Sequence, residues 1–288
     1  MIRVFPFLFV ILWSSAFISG KIIVQDASPF AALGFRFALV AFGFFCFALI
    51  LKDSLSARSR DILEACGTGI LFHGLYLGGV FFAVSEGLPA GIAALIVSLQ
   101  PVLTGALAGP VLGETITWRQ WAGIMLGFGG AALVLGLDVG GELPVIGLVA
   151  TGIALLAVTA GTLWQKHLGD RLPLSVLNMY QAMAACVFHV LVMLAIEQPF
   201  LEFTTPFILA MGWQILAVSF GAFSIFMYLI KVGSASQTAT LFFLVPPVSA
   251  VMGWLFVNEN LTAIDVTGLL IATLGVYVAT RPQAEKLT

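Results

Sequence analysis

The feature that most constrains this chain is a block that occurs twice. From Leu88 to Gly136 an apolar segment is interrupted by Pro101, turns at Gly113-Glu114, and continues as a second apolar segment marked with glycines. The plan returns from Gly233 to Arg281 without a gap, at 246 − 101 = 145 residues. Ala90 meets Ala235, Ala94 meets Ala239, Leu99 meets Leu244, Pro101 meets Pro246, Glu114 meets Glu259, Thr117 meets Thr262, Gly123 meets Gly268 and Gly130 meets Gly275. Lys21 falls on Lys166 at the same spacing, so the echo reaches the front of both halves. A repeat of this length sets the architecture, and the division it predicts is 1–140 and 141–288.

Composition identifies the solvent. Sixty per cent of residues are hydrophobic, 9% are charged and the mean hydropathy is +1.10. A soluble domain carries about 25% charged residues, so this chain belongs in a lipid bilayer. No cluster of Lys and Arg suits nucleic acid. Cys46, Cys66 and Cys186 lie in or beside apolar segments. Their spacing matches no metal motif and their odd number argues against a disulfide framework. No cofactor is expected. Arg3 followed by the apolar stretch Val4–Gly20 resembles a signal peptide, but it lacks a small-x-small cleavage site and runs into more membrane sequence. It is read as a retained first span.

Apolar runs and polar breaks predict ten helices, roughly at 4–22, 30–51, 62–85, 89–109, 118–137, 144–165, 174–196, 206–230, 235–256 and 263–280. Five helices per half is an odd number, so equivalent helices cross in opposite directions. That is the inverted-topology repeat of many secondary transporters. With the N-terminus in the cytoplasm, ten cations fall inside: Arg3, Lys52, Arg58, Arg60, Arg119, Lys166, Arg171, Lys231, Arg281 and Lys286. Lys21 alone falls outside and Arg36 lies within a span. This bias predicts cytoplasmic termini.

The places where chemistry can sit are few. Pro101 and the pair Pro246-Pro247 each interrupt a span near its middle. Proline removes a donor and obstructs the carbonyl four residues back, here Val97 and Phe242. Irregular backbone at that depth is tolerated where it faces protein or a watery cavity, which suggests paired kinked helices beside a central site; a plain packing kink is the other reading. Ser98 and Gln100 adjoin the first kink. Glu114 and Glu259 lie in turns before helix starts, where Thr117-x-x-Gln120 forms a capping box and Thr262-x-x-Asp265 a looser one. A structural role in the turn competes with gating or proton coupling.

Every acid falls outside mid-span positions, and the deep ionisable groups are Arg36 and His73. Such groups are costly in lipid and mark functional candidates. Arg36, whose repeat counterpart is Gln181, is either a structural tether or a carboxylate-binding group. His73 shares a helix face with Tyr76 and is either a hydrogen-bonded core residue or part of a site. Trp13-Ser14 and Trp164-Gln165 each set an indole beside a hydrogen-bonding group. Trp13 is too deep for an interfacial belt, whereas Trp164 beside Lys166 could belong to one. Tyr228 and Phe243 are weaker candidates. Gly123-x-x-x-Gly127, Gly268-x-x-x-Ala272-x-x-Gly275 and Gly74-x-x-x-Gly78 make smooth faces for helix packing. Helices 5 and 10 therefore read as scaffold, and helices 1, 3, 4, 6, 8 and 9 enclose the site.

The duplicated block, with Leu12-Trp13-Ser14-Ser15-Ala16-Phe17 and Pro29…Arg36-Phe37, resembles the EamA module of the drug/metabolite transporter superfamily over essentially the whole chain. The resemblance implies an all-α membrane protein of ten helices in two inverted five-helix repeats. It also implies a central cavity and export of small metabolites across the inner membrane, as in members of the amino-acid exporter type. The second copy departs from the pattern, with Asn258 before Glu259 and no arginine in helix 7. Without a mid-span acid, the expected substrate is net-neutral, an apolar or aromatic amino acid or similar metabolite. It would be held by Trp13, Ser14, His73, Tyr76, Ser98, Gln100, Trp164 and Gln165, with Tyr228 and Phe243 in reserve. Export of drugs or other metabolites, and a channel or scramblase, are the alternatives. An intramembrane enzyme is disfavoured: His73, His167 and His189 fall in separate segments, and neither H-E-x-x-H nor G-x-S-x-G occurs. The expected partners are the substrate and the bilayer, with a monomer plausible.

Overall fold

The computed structural model describes residues 4–88, 90–135, 143–169, 171–257 and 261–280. Glu259 with Asn258, and the charges Arg3, Asp138, Glu142, Arg281 and Lys286, lie outside the described residues. The helices are α1 Phe5–Asp26, α2 Pro29–Leu51, α3 Ser59–Ser85, α4 (Ala90–Val97, then Gln100–Leu112), α5 Trp118–Leu135, α6 Val145–Leu168, α7 Leu174–Ile196, α8 Thr205–Val232, α9 (Ala235–Thr240 to Val245–Val257) and α10 Ala263–Thr280. The β structure among the described residues is one isolated antiparallel bridge, Ala27 to Leu201.

Nine of these helices are long and apolar enough to cross a membrane. The helix outside that set, α5, opens on Trp118-Arg119-Gln120-Trp121, a polar turn that dilutes its apolar run. Several spans outrun the sequence expectation, α1 and α6 among them. α1 continues through Lys21, Gln25 and Asp26, because a helix goes on past the apolar core wherever polar side chains can reach water. It stops where Ser28, extended ahead of Pro29, cannot stay helical. α6 likewise carries Lys166 and His167 in its last turn.

Helix boundaries recur at the sequence offset: 118 + 145 = 263 and 135 + 145 = 280 join α5 to α10, and 29 + 145 = 174 and 51 + 145 = 196 join α2 to α7. Irregularities recur too. A π-helical stretch, Ile70–Leu75, interrupts α3, and Gln214–Ala222 interrupts α8 at the equivalent place. α4 breaks at Ser98-Leu99, and α9 passes through a 3₁₀ turn, Leu241–Leu244.

The counterparts α5 and α10, and likewise α2 and α7, pack on each other. α5 and α10 run antiparallel, backbone against backbone. A Cβ on Gly123 would lie 2.5 Å from the Ala279 nitrogen, and one on Gly275 would lie 2.6 Å from the Gly127 Cα. Small residues are what permit such an approach between membrane helices. α2 and α7 are antiparallel as well. The Glu197 carboxylate after α7 accepts from the Phe30 and Ala31 amides at 2.9 and 3.3 Å, and Asp53 after α2 accepts from the Ser175 hydroxyl at the start of α7. Each carboxylate serves orphan donors or the first turn of its neighbour. Between these two pairs, α1 packs on α8 and α9, and α6 packs on α3 and α4.

Candidate functional site

Pro101 and the pair Pro246-Pro247 open helices rather than bend them. Leu99 precedes the second half of α4, placing Pro101 in its first turn, and Pro246-Pro247 stand in the first turn of Val245–Val257. A first-turn proline loses nothing, since its amide would be orphaned anyway. The break therefore falls at Ser98-Leu99, ahead of the proline where a kink was expected. Ser98 donates back to the Ala94 carbonyl at 2.8 Å and so finishes the first half of α4.

Each break is tied to a neighbouring helix by the residues opening its second half. Gln100 donates to Thr104 at 3.1 Å and to Thr162 of α6 at 3.2 Å. Its Oε1 is buried without a hydrogen-bond partner. In the other half the Val245 carbonyl accepts from Ser14 of α1 at 3.3 Å, and Ser249 donates to the Ser14 carbonyl at 3.2 Å. Positions 100 and 104 become 245 and 249 on adding 145: Gln100 makes the first joint, with Thr104 as its partner within α4, and Val245 and Ser249 make the second with different chemistry.

Beside Ser14, Trp13 is buried in a cage of rings. Its indole meets Phe242 edge-on at 5.2 Å between centroids, Phe9 at 5.4 Å, Phe226 at 6.1 Å and Phe72 at 6.3 Å. The cage joins α1, α3, α8 and α9. His73, within the π-helical stretch of α3, extends it: Phe223 lies 4.4 Å away and Phe37 4.8 Å. The His73 carbonyl is 3.0 Å from His189 Nε2. Tyr76 is buried beside Phe72 at 5.9 Å. A π turn rotates the side chains that follow it, and such bulges gather at functional sites.

The other candidates stand apart. Gln165 accepts from Gln181 at 2.6 Å, and Gln181 also donates to Thr68 at 3.0 Å, forming a neutral knot among α6, α7 and α3. Trp164 is 38% exposed and faces Gly67. Tyr228 packs edge-on to Phe5 at 5.5 Å. Phe243 is fully buried against Gly127 and Phe128 of α5, while its neighbour Phe242 enters the cage. The rings of Phe9, Phe72, Phe223, Phe226 and Phe242 escaped the sequence reading, which named Phe242 for its carbonyl alone. With 25 phenylalanines in the chain, residue type alone cannot say which face the centre.

Arg36 donates through Nε and Nη2 to the Ser219 hydroxyl at 3.0 and 2.9 Å. Glu114 accepts from the Ala235 amide at 2.8 Å and from Ser236 at 3.3 Å (amide) and 2.9 Å (hydroxyl), so it caps a helix of the other half. Both capping boxes form: the Thr117 amide donates to Gln120 at 2.7 Å and the Thr262 amide to Asp265 at 2.7 Å. Among the described residues no group of three or more His, Cys, Asp and Glu side chains is placed to hold a metal ion.

An aromatic cage between two interrupted helices, in a chain of apolar spans, agrees with what comparison finds. The model of the EamA-like transporter family matches residues 3–136 and again 145–281. The chain belongs to the EamA-like transporter family. Within the drug/metabolite transporter superfamily, this EamA protein is 30% identical to the transporter YvbV of Bacillus subtilis over 75% of its own length and 70% of that protein. It is 25% identical to a "Probable amino-acid metabolite efflux pump" of Salmonella typhimurium, over 94% and 92% of the two chains. It is 26% identical to the inner membrane transporter YedA of Escherichia coli K12, over 93% and 89%. A solved crystal structure shares the fold with a TM-score of 0.84 at 18% identity, covering 97% of each chain. This EamA protein is thus an integral membrane transporter.

Proposed function

We propose that the chain is a secondary transporter of the bacterial inner membrane that exports small net-neutral metabolites, foremost amino acids with apolar or aromatic side chains. Transport proceeds by alternating access through the space enclosed by α1, α3, α4, α6, α8 and α9. The working unit is two inverted repeats of five spans, 1–140 and 141–288, with both termini cytoplasmic. The antiparallel packing of α2 on α7 and of α5 on α10 supports the inversion, and the distribution of Lys and Arg supports the orientation. Relatives whose names describe amino-acid metabolite efflux and inner membrane transport point the same way.

One observation carries the substrate class: the Trp13 cage and the Gln100–Thr162 joint sit beside the two helix breaks. Rings offer apolar and stacking surface to a side chain. Helix breaks and a buried amide oxygen offer partial charges of both signs to a zwitterion. The two ends of the substrate thus meet different surfaces. Ser14, His73 and Tyr76 complete the cage, and Ser98, Pro101, Pro246 and Pro247 shape the breaks. Gln165, Trp164, Tyr228 and Phe243 are not among the rings in contact with Trp13, and line the path on the helices around the cage.

Competition in membrane vesicles tests this. Neutral amino acids are expected to inhibit one another's flux, and Trp13→Ala or Gln100→Ala to weaken that inhibition. Competition by quaternary cations alone, with amino acids inert at millimolar concentration, contradicts the reading.

A further inference from the structure

Arg36 is the eighth residue of α2, roughly 10 Å below the start of that helix at 1.5 Å per residue. It is half-buried. Its partners are the Ser219 hydroxyl and the Phe37 ring, 5.5 Å from its guanidinium carbon. No carboxylate among the described residues lies within 4 Å of it, whereas Arg60 pairs with Glu64 and Arg171 with Asp61 and Glu64. A guanidinium carries five N–H donors in a fixed fork suited to a carboxylate. One hydroxyl oxygen, shared by two of its nitrogens, leaves that fork incompletely used. An uncompensated cation within a span is costly and is kept where it meets an anion or a watery path.

Its position links it to the cage. Ser219, Phe223 and Phe226 succeed one another at spacings of four and three along α8. Phe223 touches His73 and Phe226 touches Trp13, so one helix face runs from Arg36 to the indole. The repeat supplies the contrast. Position 181, equivalent to 36, holds a glutamine whose partners are the neutral Gln165 and Thr68. One half carries a charge at this place and the other does not.

We propose that Arg36 binds the carboxylate of the substrate, with Ser219 holding the guanidinium in place and the substrate side chain lying toward Phe223 and Trp13. This rests on the amino-acid reading above and deepens it: a free carboxylate is required, and the substrate enters the cage in one orientation. Bidentate, charge-assisted pairing supplies the selectivity.

Two measurements test it. In proteoliposomes loaded with labelled phenylalanine, 3-phenylpropionate (no ammonium) and phenylalaninamide (no carboxylate) compete for flux. Phenylalaninamide is expected to inhibit at least tenfold more weakly than unlabelled phenylalanine. Arg36→Gln, which copies position 181, is expected to raise the half-saturating phenylalanine concentration about tenfold and to abolish the difference between acid and amide. Arg36→Lys retains the difference at lower affinity. Ser219→Ala retains it too, whereas a mere tether between Arg36 and Ser219 would fail alike from either end. Equal inhibition by acid and amide in the unaltered protein, or matching losses in Arg36→Gln and Ser219→Ala, overturns the proposal.

The second measurement needs no flux. 3-Phenylpropionate, but not 3-phenylpropanamide, is expected to raise the thermal unfolding midpoint of the purified protein and of Ser219→Ala, and to leave Arg36→Gln unchanged. Failure of the acid to stabilise the unaltered protein overturns the role of Arg36. Stabilisation by the acid together with absent amino-acid flux instead overturns the amino-acid reading and leaves Arg36 as a carboxylate site for another substrate.

Discussion

Glu114, in the turn after α4, binds Ser236 in the first turn of α9 through both its amide, at 3.3 Å, and its hydroxyl, at 2.9 Å. The same carboxylate takes the Ala235 amide at 2.8 Å. Two orphan donors of α9 are thereby satisfied by a residue 121 positions away, in the other half of the chain. Nearby, Lys166 Nζ donates to the Ile230 carbonyl at 2.8 Å and the Gly233 carbonyl at 2.5 Å. A carboxylate on a helix start and an ammonium on a helix end both complement the helix dipole. Together they pin the junction of α8 and α9 to α4 and α6.

Glu114→Ala is expected to destabilise the protein by about 2 kcal/mol, the range for hydrogen bonds to a charged group. Glu114→Gln, which keeps one acceptor oxygen, should lose less. Thermal unfolding in detergent reads the order directly, with unaltered protein above Glu114→Gln and that above Glu114→Ala. An unchanged midpoint in Glu114→Ala would show that the cap contributes nothing.

The α5–α10 contact makes a sharper prediction, with its control two residues from Gly127 on α5. A Cβ on Gly275 would overlap the backbone of Gly127, whereas one on Gly129 meets nothing within 4 Å. Gly275→Ala should force the helices apart at a cost of about 1–3 kcal/mol or more, lowering the yield of monodisperse protein. Gly129→Ala should be neutral or slightly stabilising, since alanine favours the helix. Size-exclusion profiles of tagged variants decide between them; equal profiles would mean that the two helices do not meet through their glycines.

This contact was legible in the sequence because it depends on residue type alone: glycines at helical spacing make a smooth face whatever the helix meets. The breaks of α4 and α9 were legible nearly as well, since proline cannot continue an interior turn. Sequence placed them two or more residues late, because Pro101 serves equally well as a first-turn residue. The π-helical stretches of α3 and α8 left no such mark. Ile70–Leu75 and Gln214–Ala222 contain no proline, and their extra residue per turn is set by tertiary packing. Because those stretches hold His73 and Ser219, the setting of these two side chains had no local signature. Trp13 was recognisable by its depth, but its ring partners were not. For the same reason Glu114 could be assigned to a turn while its partner, distant in sequence, could not be named.

Orientation is open to a direct check. In a background lacking Cys46, Cys66 and Cys186, Ser56→Cys probes the connection between α2 and α3, and Gln198→Cys the one between α7 and α8; both positions are exposed. An impermeant thiol reagent applied to intact cells is expected to label Gln198→Cys and to spare Ser56→Cys until the membrane is opened. Labelling of Ser56→Cys from outside would reverse the topology inferred from the Lys and Arg bias.

The most direct test is counterflow. Purified protein in liposomes preloaded with unlabelled phenylalanine, and diluted into a trace of labelled phenylalanine, should accumulate label transiently above its equilibrium level. The initial rate should saturate with concentration and fall severalfold in Trp13→Ala. A carrier that reorients around one bound substrate produces this overshoot, because inward-moving label exchanges against the outward gradient. Uptake that never exceeds equilibrium and rises linearly with concentration would identify an open pathway, and would contradict alternating access.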